Sequence, residues 1–153
     1  MTDRPYIGVG VLLWQERHLL LGKRICADGD SCWQFPGGHL EGDESVIECA
    51  SREVLEETGL NISDPVHLAV TDRSFRVGQD RYITLFVSCD YVSGDPVLVE
   101  PDKCECWRWF DYQKLPQPLF EPVEILLSQY HDLYALKQTL SVAAVPFEEN
   151  LNT

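Results

Sequence analysis

The stretch from Gly38 to Leu60, GHLEGDESVIECASREVLEETGL, constrains this chain more than any other segment. It holds seven acidic residues in one short run. It also carries the marks of a helix between Ser45 and Gly59. Ser45 with Glu48 three residues on fits a capping box, in which two free backbone donors are satisfied reciprocally. Gly59 fits the C-terminal stop, and no Gly or Pro interrupts the residues between. At roughly 100° per residue, Glu53, Glu56 and Glu57 fall within one arc. Val46, Ile47, Ala50 and Val54 form an adjacent apolar stripe that seats on a sheet. The three carboxylates therefore lie along the edge of the packed face, where like charges cost energy unless protons or cations intervene.

Two readings stand on that spacing. One is a solvated acidic helix after an ordinary Gly-Gly turn. The other is a cation site, since oxygen-only ligands on a rigid helix suit Mg²⁺, with Mn²⁺ as a substitute. Gly37 and Gly38 just upstream let the backbone approach a ligand without Cβ hindrance. A loop between a strand and a helix N-terminus is also a place for phosphate contacts.

The rest of the chain reads as strands with one more helix. Residues 5–14 and 18–24 are apolar strands joined by a turn near Glu16-Arg17. WQFPGG, 33–38, reads as a short strand stopped by Pro36 and the glycine pair, after a turn-rich loop over 26–31. Residues 67–77 and 81–92 alternate as an antiparallel pair with its turn at Gly78-Gln79-Asp80. CECWRWF, 104–110, is a further strand, and 119–137 has helical periodicity with Val123, Leu126, Leu127 and Tyr130 on one face. The tail, 141–153, reads weakly. No repeat or linker divides the chain, so the expectation is one α+β domain over 1–153, a mixed sheet between helices.

Charge and cysteine usage exclude several classes. Twelve Lys and Arg stand against 25 Asp and Glu, a formal net charge of −13, which repels nucleic-acid polymers and anionic membranes. A small polyanionic substrate would then require local cations. No apolar run approaches the ~18 residues of a membrane span. MTDRPYIGVG lacks the pattern of a secretory signal, so a cytoplasmic location is expected. Cys26, Cys32, Cys49, Cys89, Cys104 and Cys106 have no zinc-finger spacing and read as free, mostly buried thiols.

Gly38, Glu44 and the run Arg52-Glu53-Val54-Leu55-Glu56-Glu57-Thr58-Gly59-Leu60 resemble the Nudix box, whose fixed positions are all filled here. The resemblance implies the Nudix fold, an α/β/α sandwich, and metal-dependent hydrolysis of a nucleoside diphosphate linked to another group. Carried over, it makes Glu53, Glu56 and Glu57 metal ligands, helped by a backbone carbonyl of Gly37 or Gly38. Glu44 and Arg52 take a structural role as a pair. A further carboxylate from a downstream loop acts as base in some relatives. Glu100, Asp102 and Glu105 are the candidates, and Glu105 is the choice.

LLGKR, WQFPGGHLE, YITLF and VEPDKCECWRWFDYQKLP resemble the MutT-type nucleoside triphosphate diphosphatases, and among them the branch named for Nudix motif 15. Those enzymes release pyrophosphate and a nucleoside monophosphate, some as housecleaning of the nucleotide pool. On this resemblance Phe35, Thr84 and Phe120 are base-pocket neighbours, against core packing as the alternative. Lys23 and Arg24 counter phosphate charge, against a strand-end salt bridge. His39 is left without a role. Relatives of this branch are often homodimers, and either Trp107 or Trp109 could face a partner. Hydrolysis of nucleoside diphosphate sugars such as ADP-ribose or GDP-mannose is the runner-up. A catalytically silent nucleotide sensor is the third reading, opposed by the complete glutamate set.

Overall fold

The computed structural model describes residues 4–25, 30–73 and 81–140. Strand β1 (Tyr6–Gln15) is its centre. Its side chains alternate between two cores. Val9, Val11 and Leu13 are buried on one face of the sheet, with Cys49, Ala50 and Val54 of helix α1 (Val46–Thr58). Leu12 and Trp14 are buried on the other, with Val123 and Leu126 of helix α2 (Glu121–Gln129) and Leu133 of a helical run over 133–140. A period of two that buries both faces requires a cover on each side. The result is the α/β/α sandwich expected.

Strand β2 (His18–Ile25) follows through a tight turn in which Glu16 takes a positive φ of 57°. Strands β3 (Ser31–Gln34) and β4 (Gly37–His39) lead into α1. Then come β5 (Ile62–Arg73), β6 (Tyr82–Tyr91) and β7 (Cys104–Asp111). All seven belong to one mixed sheet, whose main path runs β3-β2-β1-β6-β5. β1 pairs in parallel with β6 and antiparallel with both β2 and β4, while β7 pairs with β2. The β1–β4 pairing positions the site, because it fixes Gly37 opposite Gly10 and Gly38 opposite Val9.

Helix α1 starts and stops where its local chemistry dictates. Both bonds of the capping box are present: Ser45 Oγ accepts from the Glu48 amide at 3.0 Å, and Glu48 Oε1 accepts from the Ser45 amide at 2.8 Å. Gly59 closes the helix in the left-handed region, φ 75°, where a side chain would be strained.

Three expectations are corrected. The run 33–38 is two strands, because Pro36 has no amide to give a ladder; its carbonyl accepts from the Val11 amide at 2.8 Å, and the chain turns onto β1 as β4. Strand β5 begins at Ile62, not 67, absorbing Asp64-Pro65 in a register shift, with Asp64 at φ 50°. The helix read over 119–137 is interrupted: Tyr130 is extended (φ −130°, ψ 103°), and Asp132 starts a new helical run by accepting from the Ala135 amide at 3.0 Å. The turn at Gly78-Gln79-Asp80, Cys26, most of the 26–31 loop and the tail lie outside the described residues. The five described cysteines are free; Cys49, Cys89 and Cys104 are buried, and Cys32 and Cys106 are partly so.

Candidate active site

Arg52 organises the acidic helix. Its guanidinium donates through Nε to Glu44 Oε2 at 2.8 Å and through Nη2 to Glu44 Oε1 at 2.7 Å. The remaining nitrogen, Nη1, donates to Glu53 Oε1 at 2.9 Å and to Glu56 Oε2 at 3.2 Å. One cation thus ties the loop before α1 to two turns of the helix. Glu41 adds a weaker ion pair at 3.8 Å, a partner that sequence reading missed. Beside this cation the Glu44 carboxyl is held down to about 2, with the Arg52 hydrogen bonds as the main cause.

Glu53 and Glu57 sit deeper. Burial pushes both upward, Glu57 to about 8; repulsion from Glu56 and Glu100 adds to it at Glu53, and repulsion from Glu53 and Glu100 at Glu57. Against this, the Gly37 amide donates to Glu57 Oε1 at 2.8 Å, and Arg52 draws Glu53 down. Gly38 is a contact no other residue could make, since a Cβ there would lie 2.4 Å from the Glu53 carboxyl carbon. The backbone and the carboxylate are in direct apposition.

The donor set fits a hard divalent cation. It is all oxygen, it carries more negative charge than Arg52 offsets, and it is partly withdrawn from water, which is how an anionic site short of positive charge behaves. Among the described residues no three His, Cys, Asp or Glu side chains are already gathered as a metal cluster, because Arg52 holds Glu53 and Glu56 to itself.

These groups form one wall of a cavity of about 780 Å³. Its other walls include Arg24, Gln34, Phe35, Thr84, Phe86 and Phe120. Of the residues singled out from sequence, Gly37, Gly38, Arg52, Glu53, Glu56, Glu57, Arg24, Phe35, Thr84 and Phe120 therefore line one space. Arg24 lies 4.6 Å above the Phe120 ring and donates to Gln34 Oε1 at 3.0 Å, so its fork is oriented from two sides. Gln34 was not anticipated. Its signal was its place across from Gly22, next to Arg24 on the same edge of β2.

Three of the sequence choices fall outside this space: Lys23, Glu105 and Glu44, the last of which reaches it only through Arg52. Glu105 is not among the lining residues; it is half exposed and pairs with Lys23 at 3.4 Å. Lys23 is outside as well, in the strand-end salt bridge weighed as its alternative. The reason is alternation: Lys23 and Arg24 are consecutive on β2 and point to opposite faces. Glu100 and Asp102, the other two carboxylates considered, do line the cavity, with Lys103. Glu100 accepts the amides of Lys103 and Cys104 through its own carbonyl, which ties this loop into β7.

Fold and site together define a hydrolase of phosphorus-containing anhydrides, and comparison with known proteins agrees. Residues 4–129 match the NUDIX domain model. The chain is 33% identical over 129 residues to an RNA pyrophosphohydrolase of Thioalkalivibrio sulfidiphilus, covering 71% of this chain and 70% of that one. It is 25% identical over 114 residues to the phosphatase NudJ of Escherichia coli, covering 74% and 73%. The crystal structure of a MutT NUDIX hydrolase from Burkholderia pseudomallei superposes with a TM-score of 0.75 at 32% identity, over 83% of this chain and 98% of that one. The chain belongs to the Nudix family and resembles its MutT-like members.

Proposed function

We propose that the chain is a Mg²⁺-dependent nucleoside triphosphate diphosphatase that releases pyrophosphate and a nucleoside monophosphate. The observation that carries this reading is the apposition of Glu57 with Gly37 and of Glu53 with Gly38, in a cavity that Glu56, Arg24 and aromatic rings also line. Glu53, Glu56, Glu57 and a carbonyl of Gly37 or Gly38 would hold the ion, and Mn²⁺ would substitute. When bound, the ion neutralises phosphate charge and makes water a better nucleophile at phosphorus.

The chain's own residues do the rest. Arg52, locked on Glu44, orients the helix edge that presents the glutamates. Arg24 offers its free N–H groups to phosphate oxygens or to a base edge, while Phe35, Phe86 and Phe120 give the base an apolar seat, with Thr84 a hydroxyl at its side. Glu100 takes the role first given to Glu105. It lies near enough to Glu53 and Glu57 to raise both, so a proton taken from attacking water has an acceptor at the site.

The test is a product assay on a nucleotide panel with Mg²⁺, comparing canonical and modified triphosphates with ADP-ribose and nucleotide sugars. Pyrophosphate with monophosphate from triphosphates supports the reading. Turnover of the sugars alone would keep the family chemistry and replace the substrate. The relative named RNA pyrophosphohydrolase brings 5′-triphosphorylated RNA into the panel, although a net charge of −13 opposes binding of a polymer.

A further inference from the structure

Lys103 lines the cavity and has no part in the reaction as described so far. It closes the turn Glu100-Pro101-Asp102-Lys103, in which its amide donates to the Glu100 carbonyl at 3.0 Å. Proline at the second position sets the φ that such a turn needs. On its other side the Lys103 carbonyl accepts the Ile25 amide at 3.1 Å, beside the rung where Cys104 pairs with Arg24. The backbone of Lys103 is therefore fixed from both directions. Its side chain is 69% exposed, and among the described residues its ammonium meets one carboxylate, Glu100, at 3.4 Å. A fixed root with a mobile, rotatable head is what a lysine offers and an arginine fork does not.

The other cations of the cavity are committed elsewhere. Among the described residues three Lys or Arg side chains line it: Arg24, Arg52 and Lys103. Arg52 has its N–H groups taken, two by Glu44 and one each by Glu53, Glu56 and the His39 carbonyl. Arg24 is oriented on Phe120 and Gln34. Lys103 alone of the three is held by a single exposed pair. Its charge also reaches the acidic helix. Against the burial that raises Glu57, the Lys103 charge acts to lower it. The ammonium itself is pushed up, first by Glu100 and then by Asp102 and Glu53, so it stays charged. A phosphate chain lying along Glu53 and Glu57 is within the range of this one mobile cation.

We propose that Lys103 binds the phosphate chain by exchange: when substrate enters, its ammonium leaves Glu100 and bonds to a phosphate oxygen. One movement then gives the anion a cation and frees the carboxylate that accepts the proton from water. The exchange is favoured because a phosphate chain carries several negative charges where Glu100 carries one, and the pair that breaks is exposed. A surface ion pair across a turn accounts for Lys103 on Glu100. It does not account for a turn laced to β2 so that both side chains line the same cavity as Glu53 and Glu57. The inference rests on the anhydride-hydrolase reading for its chemistry. A water oxygen bonds to one phosphorus and one P–O–P bridge breaks, its electron pair leaving with the bridging oxygen. One water proton passes to Glu100, and the other stays on the new phosphate.

The test uses imidodiphosphate with Mg²⁺, a pyrophosphate analogue whose P–N–P bridge stands where the hydrolysable oxygen would be. Calorimetry gives its dissociation constant for the wild type, Lys103→Gln, Lys103→Arg, Glu100→Gln and the Lys103→Gln/Glu100→Gln double variant, with folding checked by circular dichroism. Lys103→Gln should weaken binding about tenfold, the low end for a hydrogen bond to a charged group, and Lys103→Arg should restore most of it. Glu100→Gln should tighten binding about threefold, the scale of an exposed ion pair, and only where Lys103 is present. On the substrate found in the nucleotide panel, Lys103→Gln should raise KM about tenfold and leave kcat within a few fold, because Glu100 is already unpaired in that variant. No binding of the probe by the wild type, unchanged binding by Lys103→Gln, or a tightening by Glu100→Gln that persists without Lys103 would overturn the exchange. The expected binding pattern in a protein that turns over no member of the panel would sink the hydrolase reading and leave the exchange standing.

Discussion

Arg52 and Glu44 meet as fork on fork, with Nε and Nη2 on the two carboxylate oxygens at 2.8 and 2.7 Å. A planar guanidinium makes such a pair and an ammonium does not. The pair spans the loop from β4 into α1, so it fixes where the glutamates stand.

Its pH dependence follows from the direction of the shift. The Glu44 carboxyl is lowered from an ordinary 4.5 to about 2 in the folded chain. A depressed carboxyl contributes stability that is complete above its unfolded value and is lost as pH falls toward the folded one. The difference in urea midpoint between wild type and Glu44→Gln should therefore be constant above about pH 5.5 and shrink between 4.5 and 2. A difference that does not change over that range would show that Glu44 acts through shape alone.

Glu57 runs the other way. Burial raises it to about 8, so in metal-free protein the folded chain holds this proton where the unfolded chain has released it. That contribution is present below the unfolded value of 4.5 and is lost as pH rises through about 8. Urea unfolding in the presence of a chelator should show stability declining across this window, and Glu57→Gln should flatten the decline. Added Mg²⁺ should stabilise the wild type most at the alkaline end, because only the ionised carboxylate is a ligand.

Glu56 is the outermost of the three glutamates, 53% exposed, and its partner is Arg52 at 3.2 Å. An exposed pair of this kind is worth about 0–1 kcal/mol. Glu56→Gln should leave thermal stability nearly unchanged and lower kcat by about a hundredfold, the scale of removing one key electrostatic group. Normal turnover by this variant would remove Glu56 from the proposed ligand set.

The two glycines separate folding from function. A Cβ at Gly37 would sit 1.9 Å from the Val9 carbonyl oxygen, which is backbone in the central strand and cannot yield. Gly37→Ala should cost about 3 kcal/mol, at the upper end for overpacking. The atoms nearest a Cβ at Gly38 are the end of the Glu53 side chain, which can move aside. Gly38→Ala should fold with a melting temperature near that of the wild type and lose activity tenfold or more, in line with small misplacements at reacting centres. Equal effects of the two substitutions on stability would contradict this division.

Much of this layout was legible in the sequence because its causes are local. The ends of α1 could be read from Ser45, Glu48 and Gly59, since caps are made within a few residues of themselves. The two-sided burial of β1 could be read from its apolar run. What could not be read depends on partners distant in the chain. That Gly37–His39 pairs with β1 is decided by where Pro36 interrupts a ladder, and the break at Tyr130–Asp132 by a cap competing with good periodicity. The face on which each end of β7 points depends on its register with β2, which nothing local to CECWRWF announces.

That register decides between Glu100 and Glu105. Glu105 lies on β7 one residue past Cys104, whose neighbour across the ladder is Arg24, and its carboxylate is drawn to Lys23 on the face away from the cavity. Glu100 lies before the strand, in the loop that lines the cavity, where its charge reaches Glu53 and Glu57. Lys103 holds it at 3.4 Å, an exposed contact too weak to fix it. Glu100→Gln should therefore lower kcat by about 10² while leaving KM within a few fold, as for loss of a general base. Glu105→Gln should change kcat by less than about twofold, since it gives up only a surface ion pair. Steady-state kinetics of the two variants on the substrate found in the nucleotide panel, with folding checked by circular dichroism, make the comparison. The reverse ranking would return the base to β7 and require that strand to shift its register on binding substrate.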